Sequence, residues 1–363
     1  MPEFITFGEI MMRMAPSGFL RLQQTLPGSI DVTFAGAEAN VAASLSMLGA
    51  DAGFVTALPD NPLADACLNT LRGLGIETTG VIRSSTGRLG IYFVEAGANQ
   101  RPSRVTYDRD GSSIGLTSPD AWNWDQLFAG ARAFHVTGIT PAISKHAADS
   151  TLAAVKAAQS HQLQVSCDLN YRAKLWNWQP GTDRRTLAGK TMDQILPYVD
   201  VLIANEADCG DVLGIHAGHS NVDSGNVEVD AYPDVARQVA QRFPNVKFIA
   251  TTLRESLSAS HNNWGAMLFD VAGDKAYFAP ETDGTYQPYE IRNIVDRVGG
   301  GDSFSAGLLF ALNHKDYPGP QEALRFAAAA SCLAHSVLGD FNFSGRNEVD
   351  ALMGGSATGR VVR

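Results

Sequence analysis

Three consecutive glycines run into an acid at Val298-Gly299-Gly300-Gly301-Asp302, and small and apolar residues follow at helical spacing to Leu312. A glycine run before a helix lets the backbone approach a ligand closely. It also aims free N–H groups and the positive end of the helix dipole at an anion. The carboxylate is the odd member. Beside a bound phosphate it repels the ligand unless it has work to do, and taking a proton from an attacking hydroxyl is such work. The spacing predicts a helix opening at Asp302 or Ser303, and on this motif alone Asp302 reads equally as an N-cap.

Other residues suited to chemistry are scattered along the chain. Arg172 follows "CDLNY" at an expected carboxyl strand end, where α/β sheets bind ligands, and an arginine takes a carboxylate in bidentate fashion. Asp168, at the same strand end, either binds a metal or orients Arg172. Asp340, in "LGDFN" after the last long helix, serves either a ligand or a turn. Tyr92, between Ile91 and Phe93, occupies a position that also suits packing. Asn205 opens "NEAD" after "VDVLIAN", where asparagine is also a common helix cap. His216 and His219 share a polar loop without further ligands at metal spacing and read as solvent-facing. Trp122, Trp124, Trp176 and Trp178 read as packing.

Positioning these groups requires a scaffold, and the patterning supplies one. Strand-like runs at "FITFGEI", "AGFVTAL", "RAFHVTG", "LQVSCDLN", "VDVLIAN" and "VKFIATT" alternate with Ala- and Leu-rich amphipathic stretches. This implies an α/β fold with a mostly parallel central sheet flanked by helices on both faces. Two regions have no room for a crossover helix. Residues 13–34 are irregular, and residues 88–108 read as a hairpin around a Gly/Asn/Pro turn. Together they are expected to form a small β-sheet lid. Residues 1–12, 35–87 and 109–350 would form the core, 217–230 a surface loop and 351–363 a tail.

Composition excludes several classes of function. The chain has 363 residues, 45% hydrophobic and 18% charged, as expected of a globular protein. A formal net charge of -10 argues against a broad footprint for nucleic acid or an anionic membrane, and still allows a local arginine cluster. No apolar run approaches membrane-spanning length, and no signal peptide is apparent. Cys67, Cys167, Cys209 and Cys332 show neither CxxC nor zinc-finger spacing, so a cytoplasmic location is expected. The phosphate loop GxxxxGK[ST] and the strand–GxGxxG–helix fingerprint are both missing, which excludes a Walker-type NTPase and argues against a nicotinamide oxidoreductase.

The glycine segment ending in Asp302, together with "AGAEANVAASLSMLG" near the N-terminus, resembles the PfkB (ribokinase-like) carbohydrate kinases from about Phe4 to about Phe343. The resemblance implies a ribokinase-like fold with ATP and Mg²⁺ as cofactors, while a projecting β lid with one exposed apolar face is expected to pair two copies as a homodimer. It implies Asp302 as catalytic base, Gly299, Gly300 and Gly301 as anion hole, and Gly36 with Asn40 on the sugar. Asn205, Gly299 and Gly301 would serve the nucleotide; Thr251, Arg254 and Ser256 either contact its phosphates or ribose, or belong to a segment that only shapes the cleft. The family's NxxE element corresponds to Asn205 through Asp208, with Glu shortened to Asp, so Asp208 is expected to reach the metal through a water. Other departures are Arg297 where relatives often carry threonine, and Gly300 in place of alanine.

"GIYFVE", "SRVTYDRDGSSI", "DLNYRAKLW" and "HSVLGDFNF" are similar to the members that act on a sugar acid, 2-keto-3-deoxygluconate. That resemblance carries over Gly36, Tyr92, Tyr107, Arg109, Arg172 and Asp340 as substrate contacts, with Arg104 behind them. It implies ATP-dependent phosphorylation of the terminal hydroxyl to the 6-phosphate. Two alternatives stay open at this point: a kinase of a neutral sugar such as fructose or ribose, and a sugar-binding regulator that kept the fold without catalysis.

Overall fold

The structure is a computed structural model and describes residues 2–205, 207–216 and 229–356. In chain order the strands are β1 (Phe4–Phe7), β2 (Met11–Ala15), β3 (Asp31–Ala35), β4 (Ala52–Pro59) and β5 (Val81–Ser84). There follow β6 (Gly90–Glu95), β7 (Arg104–Asp108), β8 (Ala133–Thr137), β9 (Gln164–Asp168) and β10 (Val201–Asn205). The last are β11 (Phe248–Ser258), β12 (His261–Asp270), β13 (Lys275–Ala279), β14 (Glu281–Thr282), β15 (Thr285–Tyr286) and β16 (Tyr289–Arg292).

The main sheet has the order β13-β12-β11-β10-β9-β8-β1-β4-β5, with β16 also paired to β12. From β11 through β5 every pairing is parallel, and β12 turns the edge antiparallel. Strands covered on both faces must be apolar throughout, and β1, β4 and β8 are buried at every position. Successive residues of β10 therefore feed two cores. Leu202 joins Phe134, Val165 and Trp176 under the helices Lys145–Ser160, Arg184–Ile195 and Tyr232–Arg242. Ile203 joins Phe4, Phe304 and Phe326 under the helices Ala37–Met47, Gly300–Leu312 and Pro320–Ala334. This is the ribokinase-like α/β arrangement, with both faces covered.

A separate sheet of order β3-β2-β6-β7 stands apart from it. The expected hairpin at 88–108 is β6–β7, and the irregular stretch 13–34 holds most of β2 and β3 with a one-turn helix, Leu22–Thr25, between them. The small sheet begins at Met11 and ends its first half at Ala35, slightly wider than the spacing predicts. The tail also starts later than expected. A helix runs from Arg346 to Met353, held where Arg325 donates to the Met353 carbonyl at 3.0 Å. Trp122, Trp124 and Trp176 are buried packing residues, and the half-buried Trp178 donates to the Pro141 carbonyl at 3.0 Å. His216 is exposed; His219 and most of the expected loop at 217–230 lie outside the described residues.

Candidate active site

The glycine loop differs from the expected one by two residues. The helix opens at Gly300 and is capped by Gly299, so Asp302 occupies the third helical position and is not the N-cap. Gly299 is in the left-handed region at φ 86°, and a Cβ there would stand 2.2 Å from the Asp340 carbonyl oxygen. Both the dihedral and the close approach require glycine. Gly300 also has a reason to lack a side chain, because a Cβ would meet the His335 ring at 3.0 Å. The first-turn amides of this helix have no intrahelical partners, an arrangement suited to an anion.

Asp302 is buried and accepts a hydrogen bond from Asn40 Nδ2 at 2.7 Å. Asn40 lies in the first turn of the helix Ala37–Met47, and its Oδ1 accepts from the Gly36 amide at 3.2 Å. Burial pushes the Asp302 carboxyl from 3.8 up to about 7, the Asn40 hydrogen bond pulls it down, and the charges of Asp340, Arg172 and Glu38 adjust it further. A carboxylate poised there is suited to general-base work. Gly36 itself is extended, and its lack of a side chain serves packing: a Cβ would lie 2.0 Å from the Glu9 carbonyl oxygen.

A cavity of about 460 Å³ joins Asp302 to residues from both sheets. On the small-sheet side, Tyr92 and Tyr107 are cross-strand partners with ring centroids 6.0 Å apart. Tyr92 donates to Asp340 Oδ2 at 2.7 Å, and Asp340 Oδ1 accepts from Arg13. Burial raises the Asp340 carboxyl, while Arg13 and Tyr92 hold it down. Arg109 is buried against Glu9, with its guanidinium carbon 5.5 Å from the Tyr107 ring centre. Glu9 Oε1 and Arg109 Nε are both buried without a protein hydrogen-bond partner, and both residues line the cavity. Such unpaired polar atoms fit a polar ligand.

Opposite them stand the carboxyl ends of the main strands. Asp168 ends β9 and accepts from the Asn170 amide at 3.1 Å, with its carboxyl pushed well above the usual range by burial and by the charges of Asp208 and Asp302. The two oxygens of Asp208 accept from the Tyr171 and Asn205 amides at 3.1 and 3.0 Å. Asn205 Oδ1 in turn accepts from the Ala207 and Asp208 amides. Arg172 lines the cavity with an exposed guanidinium whose charge lowers the carboxyls of Asp168, Asp208 and Asp302. No cluster of three or more His, Cys, Asp or Glu side chains in metal-holding geometry occurs among the described residues.

Of the expected nucleotide contacts, Asn205, Arg254, Gly299 and Gly301 line the cavity. Thr251 does not. Strand alternation turns it to the opposite face from Thr252 and Arg254, which the cavity does include. Ser256 shares the parity of Arg254 but is exposed farther along β11, outside the lining. Arg104 is exposed outside it too. Glu9, Arg13 and Arg297 were not singled out as site residues by the sequence. A lone charge within the apolar run "IMMRMA" was the available signal for Arg13, since a buried charge must be paired. Arg297 lines the cavity while donating to the Ser258 and Ala259 carbonyls at 3.1 and 2.7 Å.

Known proteins share sequence and overall fold with this chain. The structure is similar to that of a 2-dehydro-3-deoxygluconokinase from Thermotoga maritima, with 42% identity and a TM-score of 0.85 over 97% of this chain and 99% of that one. A PfkB family carbohydrate kinase from Listeria grayi is 30% identical, with a TM-score of 0.83 over 97% of this chain and 99% of that one. In sequence, the 2-dehydro-3-deoxygalactonokinase of Haloferax volcanii is 30% identical over 98% of each chain. The model of the pfkB family of carbohydrate kinases matches residues 1–343, and the chain belongs to that family.

Proposed function

We propose that this carbohydrate kinase transfers the γ-phosphate of ATP to the terminal hydroxyl of 2-keto-3-deoxygluconate, giving the 6-phosphate. The observation that carries the reading is the buried Asp302 carboxylate, held by Asn40 beside the glycine nest, in one cavity with Arg109, Arg172 and the tyrosine pair. Arg172, whose guanidinium is exposed at the cavity, would receive the sugar-acid carboxylate, with Arg109 contributing from its pair with Glu9, and Tyr92, Tyr107 and Asp340 would bond the hydroxyls. Asp302 takes the proton of the terminal hydroxyl as that oxygen attacks phosphorus in line. The first-turn amides take up the charge gathering on the transferring group. Asp168 and Asp208 are hard oxygen donors whose mutual repulsion a divalent cation would relieve, so they fit Mg²⁺. Both Asp208 oxygens already accept amides, which favours contact through water. When bound, the ion neutralises phosphate charge.

The test is ADP release with ATP and Mg²⁺ across a panel of 2-keto-3-deoxygluconate, its galactonate-derived epimer, fructose and ribose. The kinases named above for the two sugar acids make both epimers necessary. Turnover of neutral sugars alone overturns the reading, and binding without ADP release would instead support a regulator. Exposed Phe19, Leu20, Leu26 and Val32 on the small sheet and its connecting loop favour pairing with a second copy through the lid. Light scattering of the purified protein decides that point. All four thiols are free, in keeping with action in the cytoplasm.

A further inference from the structure

We propose that Arg13 is a positioning residue that ties the sugar end of the cavity to the anion-binding nest, so that a bound sugar acid tightens the binding of nucleotide. The inference rests on the site reading given above. Arg13 belongs to β2 of the small sheet and is buried to 4% exposure. Its Nη1 donates to Asp340 Oδ1 and its Nη2 to Asp296 Oδ2. Each carboxylate holds one side of the site. Asp340 lines the cavity and accepts from Tyr92 on its other oxygen, and Tyr92 is the direct cross-strand partner of Arg13 in the parallel β2–β6 pair. Asp296 accepts on Oδ1 from the amides of Arg297 and Val298 at 2.8 and 3.1 Å, the two residues immediately before Gly299.

The loop leading into the nest is therefore wound around Asp296, and Asp296 is held by the small sheet. The link closes on itself, because the Asp340 backbone carbonyl packs against Gly299, and the Gly339 amide donates to Asp296 Oδ2 at 3.3 Å. Any shift of β2 and β6 onto a bound sugar carries Arg13 and Tyr92 together, and with them both carboxylates and the loop. A guanidinium suits this post because its planar fork reaches two carboxylates in fixed directions, whereas an ammonium is a single point charge. Stability is a weak explanation for the arrangement, since a buried ionic cluster is often no more stabilising than apolar packing of the same volume.

The experiment measures the dissociation constant of Mg-ADP by calorimetry, with and without saturating 2-keto-3-deoxygluconate, in wild type, Arg13→Lys and Arg13→Ala. In wild type the sugar acid is expected to tighten ADP about 5- to 150-fold, the usual size of coupling between two sites. In Arg13→Lys that factor falls toward one, and kcat drops by more than the sugar KM rises. Added guanidinium chloride at millimolar concentration restores part of the coupling to Arg13→Ala, which a general loss of packing would not allow. Should Arg13→Ala fail to fold, Arg13→Lys, which keeps the charge, decides alone. The inference is overturned if wild type binds ADP equally with and without sugar, or if Arg13→Lys keeps the full factor. Absence of ADP release from wild type with the sugar acid counts against the proposed activity instead, and the coupling is then read with whichever sugar the panel identifies.

Discussion

Replacing Asp302 with asparagine separates the base from everything else the residue does. The change is isosteric, and Asn40 Nδ2, now 2.7 Å from the carboxylate, keeps an acceptor in the amide oxygen. What disappears is the ability to take a proton, worth about 10²–10⁴ in turnover, or roughly 3–5 kcal/mol of barrier. Stability should move the other way. Burial raises the folded pKa from 3.8 to about 7, so the folded protein binds this proton more tightly than the unfolded chain does. Ionised Asp302 therefore opposes folding, increasingly as pH rises between those two values, by at most roughly 4 kcal/mol above them. Asp302→Asn should melt no lower than wild type at pH 8, and its advantage should vanish below pH 4. The assay is coupled ADP release at saturating substrates, run beside thermal melts across pH. Turnover within tenfold of wild type, or a melting point well below it at pH 8, would refute the reasoning.

Three further outcomes follow from the same geometry. The acid limb of kcat/KM should have its midpoint near the carboxyl value of about 7, and Asn40→Ala, which deletes the hydrogen bond holding that carboxyl down, should move the limb to higher pH. A pH–rate profile of both proteins checks this, and an unmoved limb counts against Asp302 as the titrating base. Arg172→Ala should cut kcat/KM for a sugar acid far more than for a neutral sugar, by about tenfold or more if a charge-assisted hydrogen bond is lost. Gly299→Ala sets a side chain at φ 86° and 2.2 Å from a backbone carbonyl. It should cost more than the ~1–2 kcal/mol of the left-handed conformation alone and raise the KM for ATP, read from melts and steady-state kinetics.

Local spacing carried much of this protein's design. Alternating apolar runs and amphipathic helices specify a covered parallel sheet, because strands buried on both faces have no freedom to be polar. The glycine run before a helix specifies an anion nest for the same kind of reason: dihedral freedom and free amides are properties of adjacent residues. Even there, the helix start at Gly300 came from the left-handed Gly299, which spacing alone placed two residues late. Residue parity along β11, which turns Thr251 away from the cavity and Arg254 toward it, became readable only once the strand was set in its sheet.

Only the tertiary structure could decide who pairs with whom. Asn40 and Asp302 meet across 262 positions, Glu9 and Arg109 across 100, and Arg13 and Asp340 across 327. The family resemblance offers Arg109 as a substrate contact, and the fold also pairs it with Glu9. Arg13 is a single charge in an apolar run of the sequence, and the fold gives it two carboxylates. Burial makes such partners obligatory, since an unpaired charge away from water is costly, but burial is a property of the packed whole. The chain's own order thus determined the kind of fold and the glycine–acid motif, and the packing of the small sheet against the strand ends determined the burial, orientation and pairing of the groups that line the cavity.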